Sequence, residues 1–211
     1  MSDITAAFWD VGGVLLNNGW DEPARRNAVR RFSLGWDDFE SRHNLVVPRF
    51  EDGQFTLNEY LEHTVFYQPR LFSRDEFRDF MFDQSRPNPE TLALAAHMAR
   101  SGKYLMATLN NESLELNLHR IQKFGLRTCF SVFFSSCFLG VAKPNPGIYR
   151  MALHLTQRAP DECLLIDDRT ANLETARDLG MRTIHYQDSA RLREELRHNG
   201  VLWETCDKEK R

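Results

Sequence analysis

The chain has 211 residues, 42% hydrophobic and 27% charged, with a formal net charge of -3. These values suit one large globular domain or a core with a smaller insert, and they argue against a general nucleic-acid binder. No apolar run approaches the ~20 residues of a membrane-spanning helix. The four cysteines, Cys129, Cys137, Cys163 and Cys206, show neither CxxC nor Cys/His ligand spacing, so they read as free thiols of a reducing compartment. The first residues carry no basic stretch ahead of an apolar one, so they do not read as a signal peptide. A cytoplasmic protein is the expectation; oligomeric state is not legible.

The first apolar run, residues 4–9, ends at a single carboxylate, Asp10, followed by Val11-Gly12-Gly13 and a second apolar run, Val14-Leu15-Leu16. An unpaired carboxylate inside a buried strand costs several kcal/mol, on the order of 3–5. The glycines instead place Asp10 at the strand's end, where the backbone turns closely around something.

Residues 17–86 read as almost wholly helical. Pro23 suits the first turn of one helix, and Gly35 is expected to close it. The arginine-rich stretch from Arg25 to Arg31 reads as a solvated helix face. Thr56-Leu57-Asn58-Glu59 and Ser73-Arg74-Asp75-Glu76 are capping boxes, with staple pairs Phe55/Tyr60 and Phe72/Phe77. The many phenylalanines at helical spacing form the core of a small bundle rather than a ligand box. Asn88 caps a helix with Pro89 at its first position and Gly102 at its end.

Further apolar runs at 104–109, 131–134, 163–166 and 182–185 read as buried parallel strands. Helical segments at 114–124, 146–155 and 172–179 separate them. Alternation of this kind predicts an α/β fold with a doubly wound parallel sheet, whose ligands sit beyond the carboxyl ends of the strands. Residues 207–211 read as a frayed tail.

Three elements fall at such ends: Asp10; Asn110-Asn111, two amides after an apolar run; and Asp167-Asp168, with Asn172 in the next helical turn. A fourth element, Lys143, is a fixed cation on the stiff Lys-Pro-Asn-Pro loop that leads into a helix. Clustered acids suit an oxygen-ligand Mg²⁺ site, and Lys with amides offsets a phosphoryl group's charge. Alone, each has a plainer reading as a cap, a helix start or a solvated turn. Their order and shared placement make the joint case.

With these motifs the chain resembles the haloacid dehalogenase (HAD) superfamily over essentially its whole length. Asp167-Asp168-Arg169-Thr170-Ala171-Asn172-Leu173 and Ala176-Arg177-Asp178-Leu179-Gly180-Met181 carry a closer likeness to sugar-1-phosphatases and the N-terminal phosphatase domain of soluble epoxide hydrolases. The resemblance implies a HAD-like Rossmannoid core, residues 1–16 and 87–211, with an inserted helical cap at 17–86. It implies Asp10 as nucleophile and Lys143 as the third-motif lysine. Mg²⁺ would be held by Asp10, the Gly12 carbonyl, Asp168 and its neighbour Asp167, and phosphate bound by Asn110, Asn111, Gly12 and Lys143.

Two departures stand out. Asn110 occupies the second-motif Ser/Thr position, with Thr108 as the alternative alignment, and Gly12 replaces the usual acid/base aspartate. The implied reaction is Mg²⁺-dependent hydrolysis of small phosphorylated metabolites through an aspartyl-phosphate, favouring leaving groups that depart without a proton. Asp21 or His43 of the cap are alternative proton sources; Asn17, Asn18 and Trp20 edge the pocket or form a hinge. The rival readings are a non-catalytic phospho-ligand binder, for which the missing acid argues, and a metal-free dehalogenase, which the intact Asp167-Asp168 pair disfavours. No GxSxG, GxxxxGK[ST] or GxGxxG supports another hydrolase or nucleotide class.

Overall fold

The computed structural model describes residues 2–201; Cys206 and the 207–211 tail lie outside the described residues. Five parallel strands form one sheet in the order β3-β2-β1-β4-β5. They are β1 (Ala6–Trp9), β2 (Leu105–Asn110), β3 (Val132–Ser135), β4 (Cys163–Asp167) and β5 (Arg182–His185). Apart from Leu105 at the start of β2, strands β1, β2 and β4 are buried throughout, which is why they appear as continuous apolar runs rather than alternating ones.

Helices α1 (Glu22–Arg31), α2 (Trp36–Glu51), α3 (Leu57–Thr64) and α4 (Arg74–Phe82) lie between β1 and β2. The remaining helices are α5 (Pro89–Ser101), α6 (Leu114–Lys123), α7 (Ser136–Leu139), α8 (Pro146–Thr156), α9 (Thr170–Asp178) and α10 (Ser189–His198). Two apolar layers cover the sheet. One contains Trp9, Met98 and Ile166; the other contains Phe8, Tyr149 and Leu165. Alternate residues of one strand thus feed opposite cores, as the pleat requires.

The α1–α4 insert has its own core of Trp20, Phe39, Phe50, Tyr60 and Phe77, joined by Leu116 from α6. Both capping boxes form, at Thr56/Glu59 and Ser73/Glu76. Phe72 stacks on Phe77 as the staple predicts, whereas Phe55 stacks on His63. Gly35 does not close α1. Ser33, at φ 53°, turns the chain after Arg31, and Gly35 occupies the cap position that starts α2.

The two chain crossings into the insert are tied side by side. Leu16 bridges Pro87, and Asn17 N–H donates to the Arg86 carbonyl at 3.0 Å. In return, Arg86 N–H donates to Asn17 Oδ1 at 2.8 Å. Asn17 is therefore a joint residue rather than a pocket wall. Among the described residues, no helix is long and apolar enough to cross a membrane.

Candidate active site

The chain runs outward from β1 in one direction through β2 and β3, then crosses to β4 and β5 on the other side. The order therefore reverses beside β1, where open α/β sheets bind their ligands. Asp10 follows β1 directly and Asp167 ends β4; the Asp10 N–H donates to the Ile166 carbonyl at 2.9 Å, which locks the two ends together. The carboxylates of Asp10, Asp167 and Asp168 all offer oxygens within 4.8 Å of one another.

Lys143 supplies the balancing charge. Its Nζ lies 2.6 Å from Asp167 Oδ2 and 3.2 Å from Asp10 Oδ1. A double hydrogen bond fixes the loop that carries it. Asn111 Nδ2 donates to the Lys143 carbonyl, and Lys143 N–H donates to Asn111 Oδ1, both at 2.8 Å. The Lys143-Pro144 peptide is cis.

The structure separates the two adjacent acids that sequence treats alike. Asp167 is fully buried and its oxygens receive Lys143 Nζ, Asn172 Nδ2 and the Arg169 N–H. That engagement makes it the anchor of Lys143, while its carboxylate also lies within the acidic cluster of Asp10 and Asp168. Asp168 differs: its Oδ1 is buried with no hydrogen-bond partner. Buried polar atoms are rarely left orphaned, so this oxygen is suited to a cation. Gly13 makes room for it. At φ 77°, a Cβ there would sit 2.2 Å from Asp168 Oδ2.

Electrostatics follow from this packing. Burial and the charges of Asp167 and Asp168 outweigh Lys143 and push the Asp10 carboxyl up to about 7. Burial also raises Asp168, again with Asp167 adding to it. For Lys143, burial opposes the ammonium, but Asp10 and Asp167 override it and hold its pKa above the ordinary lysine value. Three acids and one lysine leave a local excess of negative charge that a divalent cation would neutralise.

The expectation to correct here is Asn110. Its side chain points into the protein, donating to Asn117 Oδ1 at 3.2 Å and accepting from Ser135 Oγ at 2.9 Å. Asn110 is therefore spent on tying β2 to α6 and β3, and Asn111 lines the cavity in its place. Thr108 is fully buried inside β2 and is not among the residues that line the cavity.

A cavity of about 160 Å³ opens over these groups. Asp10, Gly12 and Lys143 of the sheet domain line it together with Trp20, His43 and Glu51 of the helical insert. That volume is small beside the roughly 300–1,000 Å³ of pockets for drug-sized ligands, so it fits a small polar substrate. Asn18 also faces the cavity, as does Arg25, which leaves the solvated arginine face expected of α1 and pairs with Glu40 at 2.7 Å.

His43 is buried and hydrogen-bonded through Nδ1 to the Tyr60 hydroxyl at 2.8 Å, while Trp20 Nε1–H donates to the same hydroxyl oxygen at 2.9 Å. Satisfying all three groups sends the phenolic proton to Nδ1 and leaves the proton on Nε2. Burial and the nearby Arg25 lower the imidazole to about 4. His43 is thus a neutral N–H donor, which removes it as a proton source at neutral pH.

A group the sequence reading passed over is Arg120. It is 2% exposed, donating to Glu112 Oε2 at 2.9 Å, the Asn17 carbonyl at 2.7 Å and Ser85 Oγ at 3.1 Å. Gly19 yields the space, since a Cβ there would stand 2.0 Å from Arg120 Nη2. Helical patterning carried no hint of it, because an arginine in α6 normally reads as surface.

The same neighbourhood explains Gly12. A Cβ on it would lie 3.0 Å from Asn18 Oδ1 and 3.9 Å from Arg120 Nη1. A side chain at this position is tight only against the tip of the Asn18 amide, which must give by a few tenths of an ångström. Gly12→Asp is therefore expected to lower thermal stability. Adding Asn18→Ala should recover the stability, as read by thermal melting.

Residues 4–180 match the haloacid dehalogenase-like hydrolase family. Bifunctional epoxide hydrolase 2 of Sus scrofa is 27% identical over 94% of this chain, which spans only 39% of that relative's length. Glyceraldehyde 3-phosphate phosphatase of Pyrococcus furiosus is 21% identical over 89% of this chain and 82% of its own. In fold, the chain resembles a HAD-family enzyme of Bacteroides thetaiotaomicron, solved with magnesium and inorganic phosphate, with a TM-score of 0.76 and 21% identity. That match covers 90% of this chain and 98% of that one. The chain belongs to the haloacid dehalogenase-like hydrolases.

Proposed function

We propose that this protein is a Mg²⁺-dependent phosphatase of small phosphorylated metabolites that works through an aspartyl-phosphate on Asp10. It favours good leaving groups such as sugar 1-phosphates and acyl phosphates. The observation that carries this reading is the meeting of the Asp10, Asp167 and Asp168 carboxylates at the ends of β1 and β4 with the Lys143 ammonium, beside a cavity that Asp10 and Lys143 line. Phosphatases among the relatives, and the magnesium and phosphate named for the B. thetaiotaomicron enzyme, support it.

The residues present fit a magnesium ion. Asp10 and the orphaned Asp168 Oδ1 supply hard anionic oxygens, and the Gly12 carbonyl supplies a neutral one. When bound, Mg²⁺ would offset the negative charge of Asp10 and of a phosphoryl group, allowing the two to approach. Asp10 Oδ1 is held by the Val11 N–H at 2.7 Å and by Lys143, which leaves Oδ2 as the attacking atom. Lys143, held in place by Asp167 and Asn111, stabilises the charge on the transferred group. Residues 17–86 act as the cap, closing the cavity against water and selecting the substrate.

The leaving-group preference rests on Gly12. With no carboxyl there, the departing oxygen receives no proton from the usual position, a loss worth roughly 10²–10⁴-fold for a poor leaving group. Acetyl phosphate and glucose 1-phosphate are therefore expected to show higher kcat/KM than glucose 6-phosphate. Faster turnover of glucose 6-phosphate would defeat the preference, and no phosphate release from any of the three would favour a binding protein.

A further inference from the structure

Gly12 removes a proton donor, but it also removes a base. An aspartyl-phosphate on Asp10 must still be hydrolysed, and that second step needs an activated water whatever group left in the first. In-line displacement fixes where this water stands: opposite the Asp10–phosphorus bond, on the insert side of the cavity. A base for it must come from that wall and not from the strand ends.

Four titratable groups other than Asp10 and Lys143 deserve comparison there. Asp21 is engaged as the N-cap of α1, its Oδ1 accepting the Ala24 N–H at 3.0 Å. Glu112 is bound to Arg120 and to the Ser113 N–H. His43 carries its proton on Nε2, so its remaining nitrogen cannot accept one. Glu51 ends α2, lines the cavity, and among the described residues has no hydrogen bond or ion pair on its carboxylate. Its backbone is held firmly, because Ser136 Oγ donates to the Glu51 carbonyl at 2.6 Å, tying the end of α2 to the start of α7.

We propose that Glu51 is the general base of the second half-reaction, delivered from the insert in place of the carboxyl missing at position 12. This rests on the phosphatase reading above. The water oxygen bonds to phosphorus as the phosphorus–Asp10 oxygen bond breaks, and that electron pair returns to Asp10 as its carboxylate. One water proton passes to a Glu51 oxygen, leaving hydrogen phosphate, and Glu51 then releases the proton to solvent. Burial and the facing Glu112, with Asp52, raise the carboxyl against the opposing Arg169 and Arg25, to about 7. A base matched to neutral pH is the effective kind.

The test is a rapid acid quench of wild type and Glu51→Gln reacting with ³²P-labelled acetyl phosphate and Mg²⁺. Wild type is expected to turn over with little label on the protein. The variant should give a burst of one acetate per site, accumulate label on Asp10, and turn over about 10²-fold more slowly or worse. Glu51→Asp should fall between the two, and Mg²⁺-dependent trapping of beryllium fluoride by the Gln variant would show that its fold and nucleophile are intact. Undiminished turnover of the trapping-competent Gln variant, with no accumulated label, overturns the role of Glu51 and leaves the phosphatase reading standing. If wild type neither turns over nor labels Asp10, the phosphatase reading falls and this proposal with it.

Discussion

Asp10→Asn is expected to abolish phosphate release, by about 10⁴-fold or more, and to abolish Mg²⁺-dependent trapping of beryllium fluoride. An amide nitrogen at that position cannot act as the nucleophile, and the amide oxygen is a poor substitute for a carboxylate. The same substitution should leave the metal-free protein at least as stable as wild type at pH 8. Asp10 is buried beside Asp167 and Asp168, with only Lys143 in direct opposition, and burial lifts its pKa to about 7. The native state therefore binds more protons than the unfolded chain between the ordinary carboxylate range and about pH 7. Stability falls across that window as pH rises and stays lowered above it. Asparagine removes the charge and with it the penalty. Melting curves in chelator and in Mg²⁺, set beside the activity assay, check both halves: Mg²⁺ should raise the wild-type midpoint well beyond that of the variant. A variant that lost stability along with activity would show Asp10 to be a structural residue, not one held at the expense of stability for its chemistry.

Arg120→Ala should destabilise the protein by about 3–5 kcal/mol in urea titration, the cost of removing one partner of a buried ion pair. Glu112 would remain buried without its guanidinium, and burial already raises its pKa. Two further acceptors, the Asn17 carbonyl and Ser85 Oγ, would lose their donor. Those acceptors stand at the entry and exit of the helical insert, so the damage should extend to function. Faster proteolysis within residues 17–86 and a raised KM are expected alongside the stability loss. Arg120→Lys should recover little, since a single ammonium cannot span three acceptors set by a planar fork. A loss below about 1 kcal/mol would place the pair among those that merely break even.

Much of the fold was legible because its signals are local. The buried strands announce themselves as apolar runs, and the capping boxes at Thr56 and Ser73 and the Asn88-Pro89 start each report a terminus from a few adjacent residues. Gly35 misled because a glycine marks a break without saying which side of it the helix lies on; the turn at Ser33 had already ended α1. Asn110 misled for a different reason. Its place at the end of β2 is correct, but the direction of a side chain depends on partners distant in sequence, here Asn117 and Ser135.

The sequence by itself determined the parallel α/β architecture and the helical segment inserted after Asp10, and it singled out Asp10, Gly12 and Asp168 beside strand ends with Lys143 on a proline-stiffened loop. Periodicity, capping and strand-end placement are properties of neighbouring residues, and they survive without coordinates. Only the tertiary structure decided how those groups divide their work. Asp167 anchors Lys143 while Asp168 keeps an orphaned oxygen; Asn111 faces the cavity while Asn110 turns inward. It also brought in residues with no motif at all: Arg120 beneath the insert's joints, and Glu51 of the insert lining the same cavity as Asp10. Their roles arise from burial and from contacts across tens of residues, and these exist only once the insert folds back over the sheet.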